Sequence, residues 1–166
     1  EMLNGLEQGP NNDNTIVILF SDHGFHLGEK QHWAKRTLWE ETTRVPLIIA
    51  GPGIQAGQCD KAVGLIDLYP TLCELTASPM PAGLDGHSLG PLLNDPDGDW
   101  RHAAYCTFEP GDLSVRTEHW RYIRHPDGAE ELYDHRTDAH EWHNLAGNSD
   151  HALVQQRHAD LAKAWR

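Results

Sequence analysis

The chain has 166 residues, 39% of them hydrophobic and 23% charged, with 25 acidic against 13 basic side chains and a formal net charge of −12. That length fits one domain of ordinary size with at most a small appendage, and the composition excludes a disordered or fibrous chain. The acidic balance argues against nucleic acid and anionic lipid as partners, and no apolar run approaches the roughly 18 residues that a membrane-spanning helix needs.

In chain order, Met2 to Leu6 places Leu3 and Leu6 on one helical face and stops at Gly9-Pro10. It reads as the last turns of a helix whose start lies upstream, so the chain is expected to be a piece of a longer protein. Thr15 to Phe20 is β-branched and apolar on both faces, the pattern of a strand buried on both sides of a parallel sheet. A Gly- and His-rich loop follows from Ser21 to Lys35, then a second apolar strand over Val45 to Ala50. Asp67 to Leu75 predicts a helix with Leu68, Leu72 and Leu75 inward. From about Ala103 the texture becomes that of an antiparallel meander, with strands at Ala103 to Phe108, Leu113 to Arg124 and Glu130 to Tyr133. The tail predicts a helix capped by Asp150 and packed through Leu153, Leu161 and Trp165.

The chemistry is concentrated just after the first strand. Asp22 and His23 stand where open α/β sheets place ligands, outside the carboxyl ends of their strands. A carboxylate beside an imidazole suits a divalent cation or a polarised oxyanion; the same spacing also fits Asp22 as a cap and His23 as a surface residue. Between Asp22 and Arg44 four basic residues balance four acids and three histidines are added, so this loop is locally neutral within an acidic chain. A positioned lysine there can meet phosphate or sulfate. Lys30 and Arg36 read as a solvated face, and Trp33 and Trp39 as packing residues. The cysteines, Cys59, Cys73 and Cys106, have no CxxC spacing and give neither a disulfide framework nor a thiolate metal site.

The stretch from Asn14 through Ser21-Asp22-His23-Gly24 to Glu29, followed by Trp33-Ala-Lys35-Arg-Thr-Leu-Trp-Glu, resembles the second half of a type I sulfatase of the alkaline phosphatase superfamily. It is most similar to the branch containing iduronate-2-sulfatase and choline sulfatase. Further similarity runs through Asp67-Leu-Tyr-Pro-Thr-Leu, Leu84 to Leu93, and Glu131 to Ala146.

The resemblance implies an α/β, alkaline-phosphatase-like sandwich. Residues 1–100 would form the C-terminal part of the catalytic domain and its large mixed sheet. Residues 101–166 would form a small C-terminal α+β subdomain, an antiparallel sheet with a packing helix. It implies Asp22 and His23 as ligands of a divalent cation, calcium or alternatively manganese. Lys35 is implied as the catalytic and sulfate-contacting lysine, with His26 and His32 lining the substrate pocket and Arg44 anchoring the loop by hydrogen bonds and ion pairing to nearby acids. The activity implied is hydrolysis of a sulfate monoester on a sugar or other small molecule. The alternatives are phosphonate or phosphate ester hydrolysis, or a catalytically inactive metal-binding fragment. The family's formylglycine arises from a Cys/Ser-x-Pro-x-Arg motif, which does not occur in this sequence. The nucleophile is therefore expected in an N-terminal part outside this chain, as is any signal for the exported or lysosomal compartments common among such enzymes.

Overall fold

The structure, a computed structural model, describes residues 1–165. A short helix α1, Met2–Glu7, leads into strand β1, Val17–Phe20. After the loop that carries Asp22 to Lys35 come helix α2, Glu40–Thr43, and strand β2, Leu47–Ala50. Helices α3, Leu68–Leu75, and α4, Gly90–Asn94, precede a four-stranded sheet of β3, Ala104–Cys106, β4, Leu113–Arg116, β5, Trp120–Arg124, and β6, Glu130–Asp134. Helix α5, Ala152–Ala164, closes the fold.

The second sheet is an antiparallel meander in the order β3-β4-β5-β6, as the sequence predicts, with one difference. The expected strand from Leu113 to Arg124 is two strands, because a turn closes at Thr117, whose N–H bonds the Trp120 carbonyl at 2.9 Å. Period-2 alternation then gives the sheet two unlike faces. Leu113, Val115, Tyr122 and Leu132 face α5, where they pack on Ala162 with Val154, Leu161 and Trp165 around them. Ile123 and Tyr133 face the other way and pack on Leu38 and Trp39, the end of the loop that carries Lys35. The C-terminal sheet is thus the platform behind that loop.

Three expectations change. β1 and β2 pair antiparallel, with Val17 opposite Ala50 and Phe20 opposite Leu47, and not as neighbours in a parallel sheet. Each has one hydrogen-bonded neighbour among the described residues, so Leu19, Phe20 and Ile48 are about half exposed instead of buried on both faces. Helix α3 buries Pro70, Thr71 and Cys73, while Leu72 is exposed. It docks through polar groups: Thr71 Oγ1 donates to the Asp67 carbonyl at 2.6 Å and accepts from Leu89 N at 2.8 Å, and the Asp67 carboxylate accepts from Gly64 N and His87 N. Finally, the cap before α5 is Asn148, whose side chain accepts from Asp150 N at 3.0 Å, and Leu153 faces solvent. The inward position is taken by His158, which bonds Thr117 Oγ1 and the Val154 carbonyl; burial pushes its pKa down.

Candidate active site

Directly after β1 the backbone turns on itself. Ser21 Oγ donates to the His23 carbonyl at 2.8 Å, and Asp22 Oδ1 accepts from His23 N at 3.1 Å. The turn is pressed against α2: Gly24 N donates to the Thr42 carbonyl at 2.7 Å, and a Cβ at Gly24 would lie 2.0 Å from the Glu41 carbonyl oxygen. That approach requires glycine, because the obstacle is backbone. Gly24→Ala is expected to cost about 1–3 kcal/mol of stability, read by urea unfolding, and to weaken divalent-cation binding measured by calorimetry, since Asp22 and His23 ride on the same turn. An unchanged cation affinity would show that the turn's seat on α2 does not set the site.

The histidine's protonation follows from its partners. His23 Nδ1 lies 2.8 Å from the Gly24 carbonyl, which can only accept, so Nδ1 carries the hydrogen. Nε2 is then the lone-pair nitrogen. It sits 3.6 Å from Asp22 Oδ2 and 2.6 Å from Lys35 Nζ, which donates to it. An exposed carboxylate beside an imidazole whose Nε2 presents its lone pair and whose Nδ1 is fixed by a hydrogen bond forms a donor pair that fits a divalent cation. Asp22, His23 and Lys35 therefore converge, and all three line one cavity of about 1330 Å³ whose walls include α2, the 54–66 segment and strands β3 and β4.

His26 and His32 are placed elsewhere. His26 is fully buried, and neither residue is among those that line that cavity. Their contacts brace the loop from behind. His32 Nε2 donates to the Lys35 carbonyl at 3.1 Å, His26 stands edge-on to His32 and Trp39, and His26 Nε2 pairs with Thr37 Oγ1 at 2.9 Å. Burial, followed by the neighbouring His32, pushes the His26 pKa down.

Lys30, expected on a solvated face, is instead caged. Its ammonium lies 4.5 Å from the Trp39 ring centroid and 4.7 Å from that of Tyr133, and it donates to Tyr133 Oη at 3.2 Å and to the Glu141 carbonyl. Burial lowers its pKa. Trp39 packs as expected, while Trp33 is 71% exposed. Arg44 makes no ion pair among the described residues, contrary to its expected anchoring role; anchoring falls to Lys30.

Below the loop lies a group that sequence reasoning missed. Arg121, 2% exposed, donates to Glu40 Oε2 and Glu141 Oε1, both at 2.5 Å, and to Ser114 Oγ at 2.7 Å. His135 Nε2 approaches the same Glu141 oxygen at 2.8 Å. Glu40, His135 and Glu141 bring ligand atoms within 4.8 Å of one another, but the guanidinium already supplies the cation. Burial pushes the Glu40 carboxyl up, and the Arg121 and Arg116 charges outweigh it and hold the group below the usual carboxylate range. This is an ion-pair hub joining α2 to the C-terminal sheet. Its partners lie 81 and 20 residues from Arg121, a separation no local motif signals.

Residues 28–165 match the family model of the C-terminal region of N-sulphoglucosamine sulphohydrolase. A sulfatase of Formosa agariphila is 38% identical over 148 residues, covering 89% of this chain and 29% of that protein. An N-acetylglucosamine-6-O-sulfatase of Bacteroides thetaiotaomicron is 35% identical over 170 residues, covering 93% of this chain and 30% of that protein. A solved structure of a protein in complex with its substrate D-glucosamine-2-N,6-O-disulfate superposes with a TM-score of 0.82 at 32% identity, over 98% of this chain and 36% of its own. The chain thus spans about three-tenths of the length of the curated relatives it matches.

Proposed function

The chain belongs to the sulfatase family, and from that membership together with the Asp22, His23 and Lys35 cluster we propose that the protein is a sulfuric ester hydrolase acting on a sulfated sugar. The observation that carries this reading is a lysine ammonium 2.6 Å from an imidazole lone pair, beside a carboxylate, at the wall of a roomy cavity. Asp22 and His23 Nε2 are the residues to hold a divalent cation, calcium first and manganese as the alternative. When bound, that cation supplies Lewis-acid polarisation of the sulfate oxygens. The Lys35 ammonium, held at the His23 imidazole, would donate to a sulfuryl or leaving-ester oxygen as charge develops there.

The paired Asp22 and His23 support placement in the iduronate-2-sulfatase and choline-sulfatase branch. Residues 1–100 serve as the catalytic-domain part and 101–166 as the C-terminal subdomain that backs it. The formylglycine nucleophile is supplied by sequence outside this chain. The relatives named for sugar sulfates support a sugar as the substrate.

The test is a rate comparison on the full-length gene product, with calcium or manganese added. A sulfated glucosamine is expected to turn over at least about tenfold faster than an aryl phosphonate, a difference of about 1.4 kcal/mol in barrier. A preference for the phosphonate transfers the reading to phosphonate ester hydrolysis. Cation binding without turnover of either leaves an inactive metal-binding module.

A further inference from the structure

Resting on that reading, we propose that Arg36 forms a second anion subsite, so that the preferred substrate carries a further anionic group, a carboxylate or a second sulfate, besides the ester that is cleaved. The cavity's basic residues divide into two groups. Lys61 pairs with Glu118 at 3.0 Å, Arg116 and Arg121 with Glu40, and Arg136 with Asp134 at 2.6 Å. Arg36 and Arg44 line the same cavity and make no ion pair among the described residues. Arg36 directly follows Lys35, and the acids nearest to both arginines in sequence, Glu40 and Glu41, are engaged with Arg121 and His140.

Backbone geometry separates Arg36 from Arg44. Arg36 has φ 77°, in the left-handed region that a residue with a Cβ avoids. It cannot relax, because both neighbours are tied. The Lys35 carbonyl accepts from His32 Nε2 at 3.1 Å, and Thr37 Oγ1 bonds His26 Nε2 at 2.9 Å and Thr42 Oγ1 at 2.8 Å. Glycine would sit there without strain, yet the position carries an arginine on the cavity wall next to the sulfate-contacting lysine. Strain held by surrounding contacts marks sites where a side chain is aimed. A guanidinium presents a fork of donors suited to a carboxylate or sulfate and keeps its charge at any working pH. A second anion held there would orient the sugar while Lys35 attends to the scissile group.

The experiment compares three substrates on the full-length gene product: an aryl monosulfate, a disulfated glucosamine and a sulfated hexuronate. Wild type, Arg36→Gln and Arg36→Lys are assayed, with equilibrium binding of the two sugars measured in parallel. Arg36→Gln is expected to lower the ratio of kcat/KM for the doubly anionic sugars over the aryl monosulfate by about tenfold, mainly through KM, with partial recovery in Arg36→Lys. Which sugar loses more identifies the second anion as sulfate or carboxylate. A ratio unchanged in both variants overturns the subsite. A wild type that turns over no sulfate ester overturns the sulfatase reading; if Arg36→Gln still weakens binding of the doubly anionic sugars about tenfold, the subsite stands without it.

Discussion

In the full-length gene product Asp22→Ala is expected to abolish tight divalent-cation binding and to lower kcat/KM on a sulfated sugar by about a thousandfold or more, because it removes the cluster's one anionic donor. His23 Nε2 alone is a neutral ligand, and Lys35 beside it repels a cation. Several kcal/mol of transition-state stabilisation then disappear, and each 1.4 kcal/mol is about tenfold in rate. The fold should not suffer: the Asp22 side chain is 83% exposed and accepts a single local hydrogen bond from His23 N. Calorimetric titration with calcium and with manganese, next to unfolding curves, separates the two effects.

Lys35→Met gives the contrasting pattern. It takes away the donor competing for His23 Nε2, so cation affinity should hold or rise while turnover falls by about two orders of magnitude. Loss of activity in Lys35→Met together with loss of the cation would mean that the lysine organises the site and does not act on substrate. Retained cation affinity in Asp22→Ala would remove Asp22 from the ligand set.

How much of this was legible in the sequence depends on the range of each interaction. The apolar strand, the turn at Ser21 to Gly24 and the lysine twelve residues beyond His23 are local in sequence, and the Lys35 ammonium lies 2.6 Å from His23 Nε2. The meander was legible from alternation, since Val115, Tyr122 and Leu132 point one way while Ser114, Arg121 and Tyr133 point the other. Periodicity fails where polar contacts decide the docking, as in α3, where Thr71 and not Leu72 is buried. It fails again for Lys30 and Glu141, 111 residues apart, and for Trp39 and Glu131, 92 apart. A lysine between two aromatic rings has no sequence signature when one ring comes from another element. His26 and His32 were visible as histidines near a lysine; that they brace it from behind and do not line the cavity is decided by the hairpin that Gly28 and His32 close.

The largest stability effect belongs to Arg121. Its guanidinium is 2% exposed and joins Glu40 of α2, Glu141 from the segment after β6, Ser114 of β4 and the Leu38 carbonyl. Methionine fills similar space but removes the guanidinium bonded to Glu141, itself fully buried, leaving its carboxylate with the Glu40 N–H and the His135 ring as hydrogen-bond partners. Removing one partner of a buried pair costs about 3–5 kcal/mol because the other charge stays desolvated. At about 2–4 °C of Tm per kcal/mol for a chain of this size, Arg121→Met should melt roughly 6–20 °C below wild type. Arg121→Met combined with Glu141→Gln should recover part of that loss, since the stranded charge goes with it. The damage should also travel to the site. Glu40 begins the helix whose Thr42 carbonyl receives Gly24 N, so loosening the hub should weaken cation binding in a variant that leaves Asp22, His23 and Lys35 intact. A variant with lowered Tm but wild-type cation affinity would show that the C-terminal sheet stabilises the chain without setting the geometry of the site.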